Sequence, residues 1–278
     1  MRARSCLAAA LAVPLAACAG GSASAPALAY RLPTPAEATY DVLDTATISI
    51  QALGQSLDLR LESSALYGIV FARADDGVSV TLSVLDLDAT VAVPMAGPIT
   101  VDESSVSGDL VFTLDPRGES ALVSAPTVDD AAGQLVPPLQ IAHSFFPALP
   151  GTAVQAGARW TDTIAYESDG ASGTGAGTQR SIFEYTAVGD TVVAGTPLLE
   201  IAFTGTAAIR QALSMQGAEV EQSTDLQLEG HVLWDLGAGR MFERVTTSTG
   251  TGTVRVATMP AELPTRFQSV SRVRLRPE

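Results

Sequence analysis

The feature that most limits what this chain can fold into is an alternation of apolar and polar residues with a period of two. Ser56-Leu57-Asp58-Leu59-Arg60-Leu61-Glu62 puts three leucines on one face and charges on the other. That is the pattern of a half-buried β-strand rather than of a helix. The period returns at Val78-Ser79-Val80-Thr81-Leu82-Ser83-Val84 and then slips by one, so that Leu85, Leu87, Ala89 and Val91 continue on the other parity. A bulge or bend at Val84-Leu85 accounts for the slip, and strands that change face in this way belong to sheets that curl. Further strands are expected at Leu66 to Arg73, Arg159 to Glu167, Arg180 to Val188, Leu198 to Ala208, Gln222 to Asp235, Thr251 to Met259 and Arg266 to Leu275. Turns such as Ala74-Asp75-Asp76-Gly77 punctuate them. The fold class implied is mainly β, an antiparallel curled sheet that is half-barrel or barrel-like.

Two hairpins stand out. In Val106 to Val123, the residues Gly108, Leu110, Phe112 and Leu114 share a face, and Asp115-Pro116-Arg117-Gly118 makes the turn. In the second, Gly230, Val232, Trp234 and Leu236 repeat that face before Gly237-Ala238-Gly239, and Arg240 to Val245 returns. The match divides the body into two similar β halves, 39–125 and 151–278. The alternative is that any two amphipathic hairpins align this way. Between them, 126–150 breaks the β pattern. Val128-Asp129-Asp130 reads as a helix start, and Leu139, Ile141, Ala142, Phe145 and Phe146 form an apolar cluster bounded by Pro137-Pro138, Pro147 and Pro150. One or two short helices are expected near 128–147. Phe112, Trp234, Phe145 and Phe146 are the candidate lining of an inner face, where large aromatics either fill a core or border a ligand cavity.

The N-terminus says where such a body resides. Met1-Arg2-Ala3-Arg4 is a basic head, and Cys6 to Leu15 is an apolar run too short to span a bilayer. Leu15-Ala16-Ala17-Cys18 ends it and resembles a bacterial lipobox. The resemblance implies a signal peptide over 1–17, removal of that peptide and acylation of Cys18. Ala19 at the next position implies the outer membrane, facing the periplasm. The competing reading is ordinary signal cleavage after Ala25 or Ala29, both preceded by small-x-small triplets. Residues 18–38, mostly Ala, Gly, Ser and Pro, read as a lipidated flexible tether to a β domain over 39–278.

Composition removes several functions. Formal net charge is −14 at pH 7, and two of the arginines lie in the basic head, so the body is more acidic still. Such a body repels nucleic acid. No Lys or Asn occurs, so there is no catalytic lysine and no N-glycosylation acceptor. Cys6 leaves with the signal and Cys18 carries lipid, so the body has neither disulfide nor thiol ligand. Its stability comes from core burial and sheet pairing. No cofactor is expected.

Acidic lipoproteins with a curled sheet and an apolar helical segment in its mouth resemble the LolA-like periplasmic carriers and related lipid-binding lipoproteins. The stretch Phe146-Pro147-Ala148-Leu149-Pro150, followed by Val154, Gly157 and Trp160, also resembles a Pro-x-Leu-Pro…Gly-x-x-Trp stretch of secreted bacterial β families. The carrier resemblance implies a concave hydrophobic face that holds an acyl chain.

Chemistry is sparse. There is no Gly-x-Ser-x-Gly elbow. Of the two histidines, His143 lies in the apolar cluster and His231 on the polar side of a strand, so both read as structural. Asp86 and Asp88 share one face of a strand and are the acidic pair best placed to hold a cation. No metal site is assigned, and paired carboxylates otherwise read as solvated turns. The function expected is non-enzymatic: a membrane-anchored envelope lipoprotein that binds an apolar ligand or a lipoprotein tail. Its rivals are an envelope scaffold or interaction protein without a pocket and, behind it, a carboxylate hydrolase. The lipobox makes a direct prediction: Cys18→Ser moves the protein from the membrane to the soluble fraction on fractionation, and retention in the membrane would place the anchor elsewhere.

Overall fold

The computed structural model describes residues 27–277 except 53, 94–96, 134, 170–175, 216–217 and 258–260. The signal peptide, the lipobox with Cys18 and the first part of the tether lie outside the described residues. The elements in order are β1 (Glu37–Ala52), β2 (Gln55–Ala74), β3 (Gly77–Val93), β4 (Gly97–Asp102), β5 (Val106–Ser107), β6 (Leu110–Leu114), β7 (Ser120–Ser124), β8 (Thr127–Val128), α1 (Asp130–Gly133), α2 (Pro138–Ser144), β9 (Arg159–Asp169), β10 (Ala176–Val193), β11 (Thr196–Met215), β12 (Ala218–Asp235), β13 (Arg240–Val256) and β14 (Leu263–Leu275).

Antiparallel pairing links twelve of these strands into one curled sheet in the order β7-β6-β3-β2-β1-β14-β13-β12-β11-β10-β9, with β4 also on β3, and β5 and β8 pair separately. The strands on either side of 126–150 join through β1 and β14, from Tyr40 opposite Leu275 to Ile50 opposite Thr265. The sheet is not a closed barrel: β7 and β9 stand at its two ends and do not pair with each other. The strands are longer than the sequence suggests. The expected strands over 56–62 and 66–73 are one strand, because Ser63-Ser64-Ala65 continues the alternation without a turn residue. The expected break between 245 and 251 is likewise absent from β13. Gly108 is a correction to the first hairpin. Its φ of +89° turns the chain between β5 and β6, so it does not share the face of Leu110 and Phe112.

The slip at Val84-Leu85 is a β-bulge. Tyr67 faces Val84 and Leu66 faces Asp86, which leaves Leu85 unpaired. The same device recurs at Val123, Val188 and Phe242. At three of these sites the extra residue is pushed to the outside: Leu85, Val188 and Val123 are 53%, 51% and 64% exposed. Val84 and Leu87, on either side of Leu85, can then both face inward. Curling is further helped at Gly230, where a Cβ would lie 1.9 Å from the Val245 carbonyl oxygen and 2.7 Å from the Phe203 ring. No side chain fits between these strands.

Residues 135–149, with α2, form a plug over one end of the curl. Pro137 precedes α2 and Pro138 occupies its first turn, where the missing N–H costs nothing. The two prolines therefore start a helix rather than interrupting one. Phe146 is the plug's centre: its ring lies 4.9 Å from Phe145, 5.8 Å from Phe71, 6.0 Å from Tyr30, 6.3 Å from Phe112 and 6.5 Å from Tyr40. The plug also ties down both unpaired edges. His143 Nδ1 is 2.7 Å from Ser120 Oγ on β7, and the His143 ring stacks on Tyr166 of β9 at 5.0 Å. Trp160 of β9 donates from Nε1 to the Ala148 carbonyl.

The tether expected through residue 38 is corrected from residue 27 onward. Leu28 and Tyr30 are buried, and their backbone amides donate to Thr152 and Pro116. The Tyr30 hydroxyl donates to the Pro147 carbonyl at 2.6 Å. A run of small residues does not reveal two apolar anchors spaced for one side of an extended strap. Because Phe146 is packed on every side, Phe146→Ala should lower the unfolding free energy by about 3–5 kcal/mol. Denaturant titration measures this, and a loss below 1 kcal/mol would mean that the plug is not the core.

Candidate functional site

The strand pairings resolve the inner face into rows, and the rows differ sharply from one end to the other. Near the plug, Tyr40, Tyr67, Ile69, Phe71, Val80, Phe112, Trp234 and Met241 are all 5% exposed or less. Phe112, Trp234, Phe145 and Phe146 belong to this filled half. Trp234 meets Tyr30 edge-to-face at 5.2 Å, and Phe145 meets Tyr40 at 5.6 Å. Phe146 packs against both Phe145 and Phe112, and Tyr30 bridges Phe146 to Trp234.

The rows farther from the plug are more exposed among the described residues. Ile48 faces Leu59 on one side and Phe267 on the other, and all three are only partly buried. Ile50 faces Leu57, which is 36% exposed, and Val91 faces Ile99, which is 48% exposed. Leu61 and Val91 pair between them. The result is an apolar wall across β4, β3, β2, β1 and β14, continuous with the core but open. Several outward positions of β2 and β14 are charged and exposed, Arg60, Glu62, Arg266, Arg272 and Arg274, among exposed apolar ones such as Leu43 and Val270. Arg or Lys in a lipid-facing position costs about 2–4 kcal/mol at mid-membrane, so this outer surface suits water. No described helix is long and apolar enough to cross a membrane.

Between the filled and open halves lies a polar band. Asp44 faces Ser63 and Ser271, and the next row holds Ala46 and Ser269. Burial pushes the Asp44 carboxyl above its usual range, and a hydrogen bond from Ser271 offsets this only in part. Asp162, paired with buried Phe183, is raised for the same leading reason. Arg244 faces inward beside these rows, opposite Val232 and Val273. Burial pushes its pKa down.

The remaining candidates disperse. Asp86 and Asp88 are exposed on the outer side of β3, and no group of three or more His, Cys, Asp or Glu side chains converges among the described residues. His231 lies on the outer face, 3.8 Å from Glu243, whose carboxylate also takes two hydrogen bonds from Arg272 at 2.6 and 3.1 Å. The Ser120–His143 pair escapes sequence reading because the partners come from an edge strand and a helix. Burial lowers the His143 pKa, which favours the neutral imidazole. Among the described residues no carboxylate bonds to it, so the orienting third member of a nucleophilic triad is absent there. Its visible work is to join the plug to β7. Arg244 and Asp44 also escape sequence reading. The bulge at Phe242 hides the face of Arg244, and Leu43 beside Asp44 blurs the alternation.

No family model and no curated protein matches this chain. Two solved structures are similar at a low level. The beta domain of the Bordetella autotransporter Brka is 11% identical with a TM-score of 0.26, over 87% of this chain and 100% of that one. An outer membrane channel from Pseudomonas putida F1 is 9% identical with a TM-score of 0.20, over 92% and 98%. At these scores neither carries an argument about this chain.

The inward carboxylate gives a test with a definite sign. A raised folded pKa means that ionised Asp44 destabilises the folded state, and that this penalty grows as pH rises through that pKa. Asp44→Asn should therefore be more stable than wild type at pH 7, with the difference vanishing below the ordinary carboxyl value of 3.8. Urea unfolding of both proteins at pH 3.5 and 7 measures it. An equal difference at the two pH values would show that Asp44 is solvated.

Proposed function

We propose that this protein is a lipid-anchored envelope protein, held through Cys18 on the periplasmic side of the outer membrane, whose body is a non-enzymatic binding cup for an apolar ligand such as an acyl chain. The observation that carries the reading is the open apolar wall around Leu59, Ile48 and Phe267. A long sheet whose inner face is closed at one end and left apolar and open at the other exposes surface that water disfavours, at about 25 cal/mol per Å². An apolar chain laid along those rows would remove that cost. The charged outer face supports a body that stands in water while the N-terminus holds the membrane. Buried Leu28 bears on processing: cleavage after Ala29 would strip a core residue, whereas cleavage before Cys18 retains it.

The apolar wall predicts saturable binding of a neutral apolar probe. N-phenyl-1-naphthylamine should brighten on the wild-type protein with a defined stoichiometry. Ile48→Glu should weaken that binding at least tenfold with little change in melting temperature, since Ile48 is already part-exposed. Native mass spectrometry of protein from its own host should show a co-purified lipid mass. A protein that neither binds the probe nor carries lipid would be a scaffold with no ligand.

A further inference from the structure

Arg244 sits in the inner row that runs Val42, Val273, Arg244, Val232, Ile201 across five strands. The four aliphatic members of that row are buried, yet the arginine keeps part of its surface accessible. The plug meets it at Ser144 and β11 meets it at Phe203, both on the inner side of the sheet. One guanidinium nitrogen donates to the Ser144 carbonyl at the end of α2, and the guanidinium carbon lies 5.4 Å from the Phe203 ring centroid. These contacts occupy few of its five N–H donors, and an arginine keeps its charge at any physiological pH.

What is missing is a counter-charge. Other arginines in the molecule have one: Arg210 with Asp225, Arg272 with Glu243 and Arg276 with Asp41. Among the described residues no carboxylate lies within 4.0 Å of Arg244. The groups that act on it electrostatically are the phenols of Tyr185 and Tyr30. A guanidinium that has lost part of its hydration and has no counter-charge is costly, and an anion that reached it would offset its own desolvation in a bidentate pair. The inward carboxylates, Asp44 and Asp162, both have raised pKa values, which lessens their repulsion of such an anion.

We infer that Arg244 is the head-group site of the cup: it pairs with the anionic head, carboxylate or phosphate, of a single-chain amphiphile whose tail lies along Leu59, Ile48 and Phe267. This rests on the cup's binding an apolar chain and adds the class of ligand. The row of Arg244 and the row of Ile48 are six residues apart along β1, about 20 Å at ~3.4 Å per residue, a span that a long acyl chain covers. The polar band around Ser271 and Thr246 lies next to the head, and the apolar wall lies beyond it.

The test is displacement of bound N-phenyl-1-naphthylamine at pH 8 by hexadecanoate, hexadecyl phosphate and hexadecanol, which share one tail length. On the wild-type protein at least one anion should displace the probe at a concentration at least tenfold lower than hexadecanol, and the better of the two identifies the head. Arg244→Gln should remove that preference and leave hexadecanol unchanged. Arg244→Met, apolar and of similar length, is the second variant in case the first does not fold, and the same loss is expected. Equal displacement by all three compounds on the wild type would overturn this inference while sparing the cup. A preference that persists in either folded variant would also overturn it. Failure of the probe and of all three compounds to bind would remove the cup and the inference together.

Discussion

A sheet that curls but does not close leaves two unpaired edges, and the rest of this structure depends on how they are covered. β7 and β9 do not pair with each other, so the core between them needs another cover. The plug holds the two edges through their side chains: His143 reaches Ser120 on one edge and stacks on Tyr166 of the other, and Trp160 donates to the Ala148 carbonyl. The ring cluster around Phe146 holds the plug in place, with edge-to-face pairs each contributing about 0.5–1.5 kcal/mol beyond area burial. Removing the plug would expose a core and two strand edges at once.

Filling one end and leaving the other open follows from where the large side chains lie on the strands. Along β1 the inner positions run Tyr40, Val42, Asp44, Ala46, Ile48, and along β14 they run Leu275, Val273, Ser271, Ser269, Phe267. Bulk at the plug end meets bulk from the plug. Small, mostly polar residues follow, then apolar ones again that stay partly exposed among the described residues. The bulges keep these rows in phase: without the extra Leu85, the inward set of β3 would turn outward halfway along the strand.

Much of the fold is legible in the sequence because period two survives wherever one face is buried and the other wet. The slip at Leu85, the inward face of Phe112 and Trp234 and the short helices between Asp130 and Ser144 can all be read that way. Strand length cannot, because Ser63-Ser64-Ala65 has turn-like composition but strand geometry. Nor can the packing of Leu28 and Tyr30, which depends on partners more than 80 residues away, such as Pro116 and Pro147. The site is less legible than the fold. An inward arginine on a strand of mixed parity looks like a surface residue until its neighbour, Val232, is known to be buried.

The N-terminal strap also gives the molecule a direction. From Leu28 to Ala36 it crosses the plugged end, bonding to Thr152, Pro116, the Ala238 carbonyl beyond β12 and Phe71. The other terminus returns to the same end, where the Arg276 amide meets Thr39. A pull applied ahead of Leu28 would therefore load the plugged end first, through the strap that helps to seal it, and would reach the partly exposed rows of Ile48 and Leu59 last.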